Sequence, residues 1–187
     1  MVWRLKPTTF WGQSPFFYAF SEFILDTCDL HDKGPGSKWV KNLNPGHELK
    51  LLGPGGKIKY DDAALHHIAF GDETSLGLFD CLSAEAKKQG HSFLGIAELD
   101  DANRPWSKLP GGDVVSVSKS DDAKGISAIA RLDKWLQNQP VSREATAFYL
   151  TGNAKSIVAV KKYLLDKGFK NAQVQTEPYW SEGKRGL

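Results

Sequence analysis

The sequence predicts an α/β protein, a C-terminal five-stranded, mostly parallel, doubly wound sheet preceded by a partial antiparallel β-barrel. Three observations predict it. From about Leu65 onward, short apolar runs alternate with amphipathic segments of helical period. Those segments stop at Gly or Pro, which is how helices that return to a sheet end. Before Tyr60 the composition changes, and FFYAFSEFILDTCDL and HELKLLGPGGKIKY read as antiparallel strands with a Pro-Gly-Gly turn. Asp61 and Asp62 mark the boundary, giving a small unit over 1–60 and a larger one over 61–187.

The elements of the larger unit follow in order. LHHIAF, Leu65 to Phe70, reads as a buried strand, and the next helix spaces Leu76, Phe79, Leu82 and Ala86 on one face. SFLGIAEL, Ser92 to Leu99, is the second strand. A loop containing ANRPW leads to DVVSVSKS as the third, and a helix over about Asp122 to Gln137 buries Ile126, Ile129 and Trp135 or Leu136 before Pro140. TAFYLTG is the fourth strand. A helix beginning near Asn153 aligns Ile157, Val160 and Leu164 up to Gly168, and NAQVQTEPYW closes the series.

Bulk properties exclude several functions. The chain has 187 residues and a formal charge of +2, with no dense basic run, so nucleic acid is not an expected partner. No apolar stretch has the ~18 residues of a membrane helix, and MVWRLKPTTF lacks a signal-peptide core. A soluble, cytoplasmic protein is expected. Cys28 and Cys81 lie far apart in apolar patterns and read as buried free thiols rather than a redox pair or zinc ligands. His66 and His67 are adjacent on a strand, point to opposite faces and read as structural rather than as joint metal ligands.

Three stretches carry chemistry. In GPGSKW, Gly34, Pro35, Gly36 and Ser37 lead toward Trp39, and two readings compete. One is a backbone cradle for an anion such as pyrophosphate at a helix start; the other is a turn capped by Ser37 with Trp39 in the core. FGDETSL sits where the first parallel strand meets a helix, the usual ligand edge of such a sheet, though it lacks GxGxxG. Asp72 and Glu73 repel a phosphate set directly on them, so a nucleotide there uses the Thr74 and Ser75 hydroxyls or backbone amides; alternatively Asp72 or Thr74 is only a helix cap. In YWSEGKRGL, Tyr179 and Trp180 offer aromatic faces and Lys184 and Arg185 offer cations.

Taken in order, HDKGPGSKW, NPGHELKLLGPGGK, FGDETSL, FYLTGNAKSIVAVKKYLLDKGF and YWSEGKRG resemble the siderophore-interacting proteins, a branch of the ferredoxin-reductase-like flavoproteins. The resemblance runs from about Phe20 to the C-terminus. It implies that His31, Gly34, Pro35, Gly36, Ser37 and Trp39 help hold FAD, and that Gly71, Asp72, Glu73, Thr74, Thr151, Gly152 and Asn153 line the NAD(P)H side. It also implies Tyr179 and Trp180 near the flavin and nicotinamide, and Lys184 and Arg185 near an anionic ferric siderophore. The implied activity is NAD(P)H-driven, FAD-dependent reduction of ferric siderophores, with no protein acid or base required.

The family's Arg-x-Tyr-Ser/Thr flavin motif is intact in neither WRLKPTTF nor SPFFYAFS. A shortened FAD barrel is therefore expected, with an open edge that a homodimer partner or a rearranged N-terminus covers, or that a truncated reading frame leaves bare. Two alternatives follow: a non-catalytic nucleotide- or chelate-binding remnant, and a flavin or ferredoxin-type reductase with another acceptor.

Overall fold

The computed structural model describes residues 38–39, 41–42, 56–108, 111–120, 124–138 and 142–184. The backbone divides into two compact units, Met1–Gly55 and Gly56–Leu187. In the first, Lys38 and Trp39 are helical and exposed, and Asn42 N–H donates to Trp39 O at 3.1 Å. The strands expected before Tyr60 lie outside the described residues except for Gly56 to Tyr60, which form no strand.

The second unit is a five-stranded sheet in which every paired neighbour is parallel: β1 (His66–Asp72), β2 (Ser92–Leu99), β3 (Val114–Ser118), β4 (Thr146–Asn153) and β5 (Val174–Trp180). Their order across the sheet is β3-β2-β1-β4-β5. The chain thus winds outward from β1 to β3, returns to the other side of β1, and winds outward again. Helices α1 (Leu76–Gln89), α2 (Ile126–Asn138) and α3 (Ala154–Asp166) connect the strands.

Side-chain alternation divides the core into two layers. Ile68, Phe70, Leu94, Ile96, Phe148 and Leu150 face α2 and α3, meeting Ala128, Leu132, Ile157, Val160 and Leu164. Ala69, Ala97, Ala147 and Tyr149 face the other way, against Leu76, Phe79 and Leu82 of α1. Small residues on that face let α1 approach closely. A Cβ at Gly95 would lie 2.9 Å from both Phe79 and Val114, so a larger side chain there has to push the helix or the edge strand away.

Two local expectations are corrected. Ile126 is exposed at 54%, because α2 begins at that residue and turns Ala128 and Leu132, four apart, onto the sheet. The ANRPW stretch is part of a 3-10 helix, Asp101–Lys108, whose Pro105 lacks an amide hydrogen to lose. The α1 and α3 faces are as the spacing requires: Leu76, Phe79, Leu82, Ala86, Ile157, Val160 and Leu164 are all buried. Gly168 follows α3 at φ +87°, a left-handed turn that favours glycine.

Candidate functional site

The carboxyl ends of β1 and β4 are neighbours, and here the winding reverses. Asp72 closes β1, is almost fully buried and accepts four hydrogen bonds. Its Oδ1 takes Thr74 N–H at 3.0 Å and the Thr74 hydroxyl. Its Oδ2 takes Asn153 N–H at 3.0 Å and the Trp180 indole N–H at 2.7 Å. Ser75 Oγ in turn accepts Asp72 N–H at 3.3 Å, forming a reciprocal cap on the 3-10 turn Glu73–Ser75. One carboxylate therefore joins the ends of β1, β4 and β5.

The surrounding residues are shaped to that carboxylate. Gly152 adopts φ +89°, and a Cβ there would fall 2.5 Å from Asp72 Oδ2. A Cβ on Gly71 would fall 2.2 Å from Ser75 Oγ. Thr151, fully buried, donates to Ser75 Oγ at 2.8 Å and lies 3.4 Å from Phe70 O. The expected capping role of Asp72 is thus present, and the Thr74 and Ser75 hydroxyls are bonded within the protein.

Asn153 starts α3. Its Oδ1 accepts Lys155 N–H at 2.9 Å and Ser156 N–H at 3.3 Å, while its Nδ2, buried, has no hydrogen-bond partner. Two aromatic side chains stand at the end of β5 beside it: Tyr179 is 40% and Trp180 37% exposed. Burial of the hydroxyl, then Glu177 and Asp72, push the Tyr179 pKa up to about 12, so it is a neutral ring at physiological pH.

One acidic group missed in the sequence, Glu98, and one expected there, Glu73, complete this edge. Glu98, in register beside Asp72, is buried and accepts Gly125 N–H at 3.1 Å and Ser156 Oγ–H at 2.8 Å. Burial, reinforced by Asp72, holds its pKa above the ordinary carboxylate range against those two bonds. Glu73 behaves oppositely. Burial favours its neutral form, but Lys119 Nζ at 2.6 Å, Asp100 N–H at 2.8 Å and Asn103 Nδ2 at 3.2 Å outweigh burial and lower the pKa. The sequence signal for Glu98 was a carboxylate inside the otherwise apolar SFLGIAEL strand.

The expected site residues thus fall into two sets. Gly71, Asp72, Glu73, Thr74, Thr151, Gly152, Asn153 and Trp180 converge on one sheet edge, with Tyr179 adjacent in β5. Trp39 is exposed, Lys184 N–H bonds Ser181 O, and His31, Gly34, Pro35, Gly36, Ser37 and Arg185 lie outside the described residues. Cys81 is a buried free thiol whose pKa burial and then Asp80 raise to about 11. Among the described residues no three His, Cys, Asp or Glu side chains group as metal ligands, and no helix is long and apolar enough to cross a membrane.

The sequence profile described as "Siderophore-interacting protein" matches residues 64–183. The chain belongs to the siderophore-interacting protein family. Among curated proteins it is similar to the ferric vibriobactin reductase ViuB of Vibrio cholerae, 25% identical over 163 residues, covering 83% of this chain and 58% of ViuB. It is also similar to the mycobactin import ATP-binding/permease protein IrtA of Mycobacterium tuberculosis, 23% identical over 177 residues, covering 89% of this chain and 19% of IrtA. The chain therefore spans little more than half the length of ViuB. Solved structures of two family members share the fold. A siderophore utilization protein from T. fusca matches with TM-score 0.61 and 24% identity, over 84% of this chain and 60% of that one. The siderophore-interacting protein of Acinetobacter baumannii matches with TM-score 0.62 and 20% identity, over 86% and 64%.

Proposed function

We propose that residues 61–187 form the NAD(P)H-binding domain of a ferredoxin-reductase-like, cytoplasmic ferric-siderophore reductase, with residues 1–60 holding FAD. One observation carries the reading: Gly71–Thr74 and Thr151–Asn153 meet where the sheet reverses its winding, the crevice in which open α/β sheets bind ligands. Family membership and the ferric-siderophore activity in the name of ViuB give it direction.

The residues present fit a nucleotide with a planar head. Asn153 Nδ2 is a buried donor lacking a partner at the start of α3, where the helix dipole favours an anion. Tyr179 and Trp180 offer partly exposed ring faces on the β5 side, and the Asp72 bond to the Trp180 indole holds one ring in orientation. Asp72 itself serves as the clamp that sets these groups relative to each other, since its acceptor positions are used within the protein. A bound flavin supplies the exchange between a two-electron hydride donor and a one-electron acceptor, so one NAD(P)H reduces two Fe(III) to Fe(II). Lys184 and Arg185 give an anionic ferric chelate a cationic contact.

The test is an absorption spectrum of the full chain after incubation with FAD and desalting. Retained flavin that bleaches anaerobically with NADH or NADPH, then returns as a ferric siderophore is added and Fe(II) appears in a chelator trap, is the expected result. A colourless protein overturns the FAD assignment. Flavin that bleaches yet does not reduce the chelate overturns the acceptor.

A further inference from the structure

The carboxyl edge carries information about which nucleotide it accepts, given the nucleotide reading above. In a doubly wound sheet the pyrophosphate lies at the first strand–helix turn and the adenosine ribose beside the end of the next strand, where an acidic side chain accepts the 2′-hydroxyl. Here that strand is β2, which ends at Leu99 and is followed by Asp100.

Asp100 is held in place rather than left on a loose loop. Its backbone N–H donates to Glu73 Oε1 at 2.8 Å, and its Oδ2 meets Lys119 Nζ at 3.2 Å. Its side chain remains 64% exposed, and Oδ1 has no bond among the described residues. The carboxylate is therefore largely open to solvent beside β2.

Among the described residues, the cations Lys119 and Arg104 beside Asp100 and Asp101 are already engaged. Lys119, just after β3, is covered more than Asp100 and lies between Glu73 Oε2, at 2.6 Å, and Asp100 Oδ2. Burial, outweighed by those two carboxylates, leaves its pKa raised, so it stays charged and paired. Arg104 binds Asp101 Oδ1 at 3.0 Å and reaches Ser118 Oγ. Of that pair the carboxylate is the more exposed, Asp101 at 87% against 49% for Arg104. A 2′-phosphate brought here meets Asp100 and Asp101 first, and gains Lys119 only by breaking its pairing with Glu73 and Asp100.

We infer that the chain takes the nucleotide without a 2′-phosphate, NADH, with Asp100 accepting the ribose 2′-hydroxyl and Glu73 withholding Lys119 from a phosphate. Asp100 is a specificity residue, and Glu73 is a positioning residue acting through Lys119.

Calorimetric binding of ADP-ribose and of 2′-phospho-ADP-ribose to the full chain tests this without requiring flavin or turnover. ADP-ribose is expected to bind about tenfold more tightly, the ratio a charged hydrogen bond produces. In Asp100→Ser, an exposed change that leaves the Glu73–Lys119 pair in place, the ratio is expected to fall toward one. Glu73→Gln is expected to improve 2′-phospho-ADP-ribose binding, and far-ultraviolet circular dichroism confirms that each variant is folded. Equal binding of the two ligands, tighter binding of the phosphorylated one, or an unchanged ratio in folded Asp100→Ser overturns the inference while leaving the nucleotide site standing. Binding of neither ligand overturns the nucleotide reading and this inference together.

Discussion

Near the amino edge of the parallel sheet, aromatic and imidazole rings stack; at the carboxyl edge, carboxylates are bound by N–H and hydroxyl donors. Tyr60 lies 4.2 Å from His67 between ring centroids, and His67 lies 5.4 Å from His91 and 5.9 Å from Tyr149. Buried His67 is satisfied as a neutral ring, with Nε2 on Ala64 O at 3.1 Å and Nδ1 on the Tyr149 hydroxyl at 3.0 Å. At the other edge Asp72 and Glu98 together accept from Thr74, Gly125, Asn153, Ser156 and Trp180. The difference follows from chain direction. Each strand-to-helix connection delivers helix N-termini and their free N–H groups to the carboxyl edge, where buried carboxylates can be satisfied. The opposite edge receives helix ends that present carbonyls, and a buried anion there finds few donors.

The contrast is tested most severely at Asp72. Asp72→Ala leaves the Trp180 indole, Asn153 and Thr74 N–H groups without their acceptor, and we expect a loss of about 3–5 kcal/mol in urea denaturation. A loss below about 1 kcal/mol shows that water replaces the carboxylate and that it does not join the strands.

Acid should break the amino edge next. Burial, reinforced by His91, lowers the His67 pKa from 6.5 to about 4. With the folded value below the unfolded one, this contribution is complete above pH 6.5 and is lost as pH falls through 4. Full protonation costs ~3 kcal/mol at the conversion of one pKa unit per 1.36 kcal/mol. His67→Phe is expected to lower the plateau but flatten the acid slope; an unchanged slope assigns the acid loss to other groups.

Glu98 has the opposite sign, because its folded pKa is raised. Its relative contribution is greatest below the ordinary carboxylate range and is lost as pH rises through the folded value. Glu98→Gln should remove that slope with a change at pH 7 of about 1 kcal/mol or less, read from denaturant midpoints across pH. The smallest effect belongs to neither edge. Lys88, 67% exposed and 3.2 Å from Glu85 on the outside of α1, should yield ~0.5 kcal/mol or less on change to Ala. A larger loss indicates that surface charge, rather than the edges, governs stability.

How much of this was legible depends on sequence distance. The α1 face, Leu76, Phe79, Leu82 and Ala86, followed from spacing within one helix, and Asn153 was readable as a helix start because its partners are Lys155 and Ser156. The register that sets Glu98 beside Asp72, and the pairing of Glu73 with Lys119, join residues from different strands and loops. Propensity and periodicity carry no information at that range. Ile126 was misplaced for a related reason, since apolar character alone does not say where a helix begins.

Strand sequence, helix faces and terminating glycines are properties of short segments, and so the residues themselves dictated an α/β sheet whose first strand ends at FGDETSL and whose fourth ends at LTGN. Which donors each side chain there gathers depended on the folded chain. Asp72 read locally as a candidate cap on its own turn, and only β4 and β5 brought Asn153 and Trp180 to its second oxygen. A buried carboxylate is defined by the donors that surround it, and only packing assembles donors from three strands around one charge.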